Sequence, residues 1–407
     1  MTMTQGIPNR PDHVPPELVL PYPLLDREYV HENPWDELAI KVHEGPPVFW
    51  ANNVFPGGVP GWVVRRAEDL RTIYADTEHF VKRGNTRVAS MIGEDWDVIP
   101  TELDPPKHTA FRSSLNPVFS PRRMGALDDS VRIRARAFID KFKARGECEF
   151  VEDMSIPYPI SIFLDMLGLP QELMPQFLVW EHTLLHSNDL EARIDAVRAV
   201  KDYLLGEIEV RRKNPGDDLI SQALNFEVWD RKWTAEEVFG FCFNLYLGGL
   251  DTVSSNLGIH MYHLATRPDD QAWIRANPGK LVPAVEELLR AYAAVTTWRI
   301  CDKEFEIGGV TMKPGDRVAM STTLAARDPE DYDCPSEVRF DRKPSHLTFG
   351  FGPHRCLGCH LARRELQIGL QELLSALPPF RIKEGADIRF FSGNVIHMQS
   401  LPLVWDI

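Results

Sequence analysis

The chain has 407 residues and 43% hydrophobic content, enough for a large core and, by length alone, for two or three domains. Its formal net charge of −14 argues against a general nucleic-acid or anionic-membrane binder, which needs a basic field. The cysteines Cys148, Cys242, Cys301, Cys334, Cys356 and Cys359 are few and scattered for this length, so no disulfide framework is expected.

Residues 1–18 are polar and punctuated by proline, with no apolar run and no cleavage-like segment. No window reaches the roughly 20 apolar residues that span a bilayer, so a cytoplasmic, reduced, soluble protein is expected. Residues 1–35 read as an extended arm, set by Pro8, Pro11, Pro15, Pro16, Pro21, Pro23 and Pro34. Residues 61–67 have strand character and 68–74 look helical. Helical apolar periodicity dominates from about 106 to 290, and within it His108 and Arg112 fall on one face. A helix with a capping aspartate is predicted over 217–224. Residues 300–320 read as β, with strands over Phe305–Ile307, Val310–Met312 and 318–320 and a turn at Lys313-Pro314-Gly315-Asp316. A β-like tail follows Pro378-Pro379, giving a mainly helical chain with small sheets in its first and last thirds.

Three patterns carry chemistry. Thr234-Ala235-Glu236-Glu237 is a capping box before an apolar run that predicts a helix to about Thr266, roughly 45–50 Å long. Inside it lies Gly248-Gly249-Leu250-Asp251-Thr252. Two adjacent mid-helix glycines cost about 1 kcal/mol each relative to alanine, which makes sense if a flat group lies on the backbone or the helix widens there. An acid followed by an alcohol then supplies a proton path; the alternative is a back-bonded threonine beside a solvated aspartate. Second, Glu287-Leu288-Leu289-Arg290 sets two opposite charges one turn apart. Third, Phe349-Gly350-Phe351-Gly352-Pro353-His354-Arg355-Cys356-Leu357-Gly358 precedes a helical pattern over 357–377. That order puts Cys356 at a helix N-terminus, where unpaired N–H groups favour an anionic sulfur. Cys356-Leu357-Gly358-Cys359-His360 also matches the attachment pattern of covalent c-type haem, with His360 as axial ligand, and Cys356/Cys359 is formally a zinc pair without a second pair.

The third run resembles the haem-binding loop of cytochromes P450, F-x-x-G-x-x-x-C-x-G, at Phe349, Gly352, Cys356 and Gly358. The resemblance extends from about Pro34 to the end and is closest to the bacterial, class I, camphor-hydroxylating branch. It rests on Ile99-Pro100-Thr101, Leu103-Asp104-Pro105-Pro106, Gly248 to Val253, His360-Leu361-Ala362-Arg363-Arg364-Glu365 and Leu401 to Asp406. It implies a single P450 domain over 1–407, with haem b held non-covalently by Cys356 as the metal ligand. Gly248 and Gly249 would face the cofactor, and His108, Arg112, Arg299 and His354 would hold its propionates. Thr252 would hydrogen-bond iron-bound dioxygen and Asp251 would relay protons to it. Glu287, Arg290 and Arg342, with Arg339 as fallback for the third, would form a structural group.

The implied reaction is hydroxylation of a small apolar substrate by O2, with electrons from a [2Fe–2S] ferredoxin and its NADH-dependent reductase, because no flavin or dinucleotide fingerprint is present. Arg112 and Arg363, then Arg71 and Lys343, are the candidates for docking an acidic ferredoxin. By position, Trp96, Val98, Asn244, Leu247, Val295, Thr297 and Val395 line the substrate pocket. Trp96 replaces the camphor enzyme's ketone-binding tyrosine, and Val98 replaces a larger aromatic, so a terpenoid or norisoprenoid ketone of ionone size is expected rather than camphor. The family's arginine linked to proton-path gating has no clear match, with His186 nearby. A haem-thiolate peroxygenase and a non-catalytic haem sensor are the alternatives, and the acid–alcohol pair disfavours both.

Overall fold

Val48–Phe55 and Val59–Val64 are rich in valine, phenylalanine and tryptophan, residues that suit a pleated, half-buried surface. In the computed structural model, which describes residues 10–22, 30–55, 58–84, 88–187 and 189–407, they pair antiparallel. Parts of the expected arm, 1–9 and 23–29, lie outside the described residues. In the remainder Pro16–Leu18 forms one tight turn and Val19 bridges to Trp50.

Contacts divide the chain into two units, the first comprising Met1–Asn85, Glu286–Arg355 and Arg389–Gln399. Its main sheet runs in the order Val48–Phe55, Val59–Val64, Arg317–Ser321, Thr296–Cys301, Phe80–Val81. Only the junction of Val59–Val64 with Arg317–Ser321 is parallel, with Val318 opposite Trp62. A Cβ at Gly61 would stand 2.6 Å from the Arg317 carbonyl oxygen, so this close strand approach requires glycine. Trp50, Trp62, Leu70, Ile73, Val318 and Met320 pack as the core beneath. The predicted turn is present: the Asp316 carboxylate accepts from the Trp62 indole at 2.8 Å and from the Lys313 backbone N–H at 2.9 Å.

The same unit holds the acid–base pair of the second motif, and burial decides its weight. Glu287 and Arg290 are both 0% exposed. Arg290 Nε and Nη2 donate to the two carboxylate oxygens at 2.9 and 2.7 Å. Its remaining donors reach the carbonyls of Ala326, Pro335 and Glu337 at 2.8–2.9 Å. Arg342 Nε stands 3.3 Å from Glu287, and the Arg339 backbone N–H donates to the same carboxylate at 3.0 Å. A helix is thereby tied to the irregular segment that leads into the cysteine loop.

The second unit comprises Thr86–Val285, Cys356–Ile388 and Ser400–Ile407 and is mainly helical. Pro157–Leu167 is apolar almost all round and buried. Cys359–Ala376 packs on Asp128–Phe142, where Arg132 and Arg136 both pair with Glu372. On its other flank a Cβ at Gly369 would meet the Tyr158 ring at 3.3 Å, and the Tyr158 hydroxyl donates to the Glu365 carbonyl at 3.1 Å. The predicted helix at 217–224 spans Leu219–Ala223, capped by Asp218, whose carboxylate accepts from the Ser221 N–H at 2.9 Å. The expected helical middle is interrupted by a short hairpin, Glu227–Val228 with Arg231–Lys232, because Trp229 and Asp230 take left-handed conformations. The tail after Pro379 forms Phe380–Ile382 and Pro402–Trp405, paired with Glu147–Glu149. Among the described residues no helix is long and apolar enough to cross a membrane.

Glu287→Ala should leave Arg290 buried and uncompensated, lowering stability by ~3–5 kcal/mol. Denaturant unfolding measures this, and a loss below about 1 kcal/mol would show that the pair behaves like a surface ion pair.

Candidate active site

The capping box forms as its residues dictate: the Thr234 hydroxyl accepts from the Glu237 N–H at 3.1 Å, and the Glu237 carboxylate accepts from the Thr234 N–H at 2.8 Å. The helix that it starts, Ala235–Gly249, is interrupted at Leu250 and resumes as Asp251–Thr266. The interruption falls at the double glycine, where the sequence predicts local widening. Among the described residues nothing lies within 4 Å of a Cβ added at Gly248 or Gly249, and both are exposed although Tyr246 and Leu250 on either side are buried. The helix therefore presents bare backbone to open space.

Thr252 sits at this break, and its hydroxyl donates to the Gly248 carbonyl at 2.9 Å. That back-bond fixes the rotamer and leaves the oxygen's lone pairs as acceptors. Asp251 is 8% exposed, so it is a buried acid rather than a solvated one. Its carboxylate accepts from the Ser255 hydroxyl at 3.4 Å and stands 3.6 Å from His186 Nε2. Glu181, which the sequence reading did not single out, completes the group: ligand atoms of Glu181, His186 and Asp251 all lie within 4.8 Å of one another. Burial first, and the Asp251 charge second, push the Glu181 carboxyl up to about 8, while His186 acts in the opposite sense.

Cys356 stands in the turn before Cys359–Ala376, two residues further from the helix than predicted, with Gly358 as the N-cap. Burial pushes its thiol up to about 11, and Cys359 adds to this; the Gly358 N–H and the Arg112 and Arg363 guanidinium groups act the other way. Desolvation thus opposes the terminus effect expected from sequence, and a cation at the sulfur would favour the anion. Cys359 is 3% exposed, packed as the first residue of its helix. In the first unit the segment before Cys356 is shaped by glycine. Gly352 has φ +67°, and a Cβ there would stand 2.6 Å from the Tyr74 carbonyl oxygen.

The other expected contacts are distributed as follows. His108 is buried and Arg112 half-buried on the Lys107–Leu115 helix, and Arg112 Nε donates to Asn116 at 2.8 Å. In the first unit Arg299 is buried over the Tyr74 ring, and His354 is half-buried. Trp96 packs edge-on against Phe239 and Phe243, with Val98 buried nearby in the same core. The Trp96 indole N–H donates to Glu94 at 2.9 Å, and Glu94 also pairs with Lys201. Its one donor is thus committed within the protein. Asn244 stands one turn before Gly248; its Oδ1 accepts from the Thr101 hydroxyl at 2.5 Å. Leu247 is half-buried on the same helix. In the first unit Val295 bridges to Val395, and the Thr297 hydroxyl meets that of Tyr74 at 2.7 Å. A half-buried soft sulfur with guanidinium groups acting on it, together with a helix face bare of side chains, fits an iron porphyrin.

Gly352→Ala should lose ~1–3 kcal/mol from its left-handed backbone and more from the clash with Tyr74. Gly315→Ala, at φ +93° with nothing within 4 Å, should lose only the backbone part. Thermal unfolding of both variants checks this, and equal shifts would remove the steric argument.

The model of the cytochrome P450 family matches residues 162–403, more than half of the chain. A protein of Sinorhizobium fredii described as "Probable cytochrome P450 127A1" is 39% identical over 401 residues, covering 97% of this chain and 96% of that one. The solved structure of cytochrome P450 CYP101C1 is similar with a TM-score of 0.88 at 32% identity, covering 98% of this chain and 100% of that chain. That of CYP101J2 is similar with a TM-score of 0.86 at 30% identity, again over 98% of this chain and all of that one. The chain belongs to the cytochrome P450 family, with the family's fold, near the bacterial CYP101 group, and is a haem b monooxygenase acting on O2 and a small organic substrate.

Proposed function

We propose that this P450 hydroxylates a small apolar ketone of terpenoid or norisoprenoid type, ionone-like in size, with residues 1–407 working as one oxygenase domain. Electrons come from a [2Fe–2S] ferredoxin and its NADH-dependent reductase. The observation that carries the substrate assignment is Asn244. The Thr101 hydroxyl occupies its Oδ1, which leaves the amide NH2 as donor one turn before the open Gly248. The other candidates Trp96, Val98, Leu247, Val295 and Val395 are apolar, and the Thr297 hydroxyl is engaged with Tyr74. A ligand with one acceptor on an otherwise apolar body matches that set.

Haem b, when bound, supplies the oxygen activation and C–H hydroxylation chemistry. In the proposed arrangement the Cys356 sulfur would be its ligand, and Gly248 and Gly249 would offer it backbone free of side chains. His108, Arg112, Arg299 and His354 bind the propionates by charge-assisted hydrogen bonds. Asp251 holds the proton to be delivered and passes it toward the Thr252 hydroxyl, the general-acid part of the mechanism. The Gly248 carbonyl sets the direction of that hydroxyl. For the ferredoxin, Arg112 and Arg363 are the favoured contacts, since both already act on the sulfur electrostatically. Arg71 is committed to Asp331 and is the weaker candidate. The six free cysteines accord with a cytoplasmic, reducing location.

Ionone-like ketones should shift the ferric enzyme from low to high spin. Asn244→Leu should weaken that binding roughly 3–10-fold, the net worth of one hydrogen bond, while leaving the parent hydrocarbons unaffected. A spin shift with fatty acids and none with any ketone would reject the assignment.

A further inference from the structure

Glu181 lies on the Met174–His186 helix and is 8% exposed, yet among the described residues its carboxyl accepts no hydrogen bond and pairs with no lysine or arginine. It is aimed at Asp251 and His186, the three ligand atoms lying within 4.8 Å of one another. Two carboxylates that close cannot both stay ionised in a buried setting, so the pair takes up one proton. His186 lies 3.6 Å from Asp251, and its side chain keeps 19% exposure. Around them stand His182, whose ring centroid is 5.4 Å from that of His186, and Tyr246, whose hydroxyl donates to the Phe177 carbonyl at 3.4 Å. From the next helix Arg193 is directed to the Leu184 carbonyl at 3.0 Å.

We propose that Glu181 is a positioning acid of the oxygenase reaction: it shares one proton with Asp251 in a buried carboxyl pair that His186 refills from solvent. This rests on the reading that Asp251 relays protons to Thr252. In the step, the shared proton moves from Glu181 to the Asp251 carboxylate, which passes it on toward Thr252, so that both carboxylates are ionised until the pair is refilled. The imidazolium of His186 then returns one proton to the pair and is itself reprotonated by water. Each delivered proton is replaced by one from solvent, and no electron moves within the triad. The acid form is the working form, so delivery is intact at low pH and fails as pH rises through about 8.

The test is infrared titration of the carboxylic-acid stretch in the ferric enzyme, set beside the pH profile and solvent isotope effect of product formation. The wild type should show a buried acid band that disappears as pH is raised through about 8. Glu181→Gln should abolish that band, slow product formation roughly tenfold and remove the alkaline fall, with a larger solvent isotope effect. Asp251→Asn should move the Glu181 band to lower pH, because the neighbouring negative charge is gone; this arm stands even if Glu181→Gln fails to fold. A band that persists in Glu181→Gln, or one that does not move in Asp251→Asn, overturns the proposal. If Asp251→Asn slows turnover while Glu181→Gln keeps the wild-type pH profile, the relay stands and the proposal falls. If Asp251→Asn turns over normally, the relay reading itself fails and the proposal with it.

Discussion

A sulfur short of water resists ionisation, and that conflict at the half-buried Cys356 runs through its setting. Burial raises the thiol to about 11, and the Gly358 N–H with the Arg112 and Arg363 charges offsets this only in part. An iron bonded to Cys356, as proposed, would supply the missing positive charge. The loop before it is held by a glycine whose Cβ would meet the Tyr74 carbonyl oxygen at 2.6 Å. The segment leading to that loop is held by the fully buried Glu287–Arg290 pair and the carbonyls that Arg290 gathers.

The same economy of side chains shapes the helix that starts after Thr234. Bare backbone at Gly248 and Gly249 gives a flat face, and the break at Leu250 frees the Gly248 carbonyl to accept from Thr252. Asp251 is then the first residue of a new helix rather than the middle of an old one. It is buried among Ser255, His186 and Glu181 instead of pointing into water. Helix interruption, hydroxyl orientation and acid burial are thus one structural event, seeded by two adjacent glycines.

Much of this was legible in the sequence because it is local. The capping box at Thr234, the glycine pair, the spacing of Glu287 and Arg290 and the glycine-rich approach to Cys356 each state their geometry within a few residues. What escaped depends on distant partners. Glu147–Glu149 carries no strand pattern of its own and becomes one only against Pro402–Trp405. The hairpin at Trp229 and Asp230 hides in a helical stretch, because neither residue advertises a positive φ. Glu181 offers no spacing signal at all, since its meaning arises only where its helix meets Asp251. Desolvation at Cys356 likewise belongs to the packed molecule and not to the local sequence.

The most direct test of the account is the absorption spectrum of the reduced, carbon-monoxide-bound protein, recorded for the wild type and for Cys356→Ala. Thiolate ligation by Cys356 predicts a Soret band at the red-shifted thiolate position in the wild type and its loss in the variant. A wild-type band at the histidine-ligated position, or a thiolate band that survives in Cys356→Ala, would contradict it.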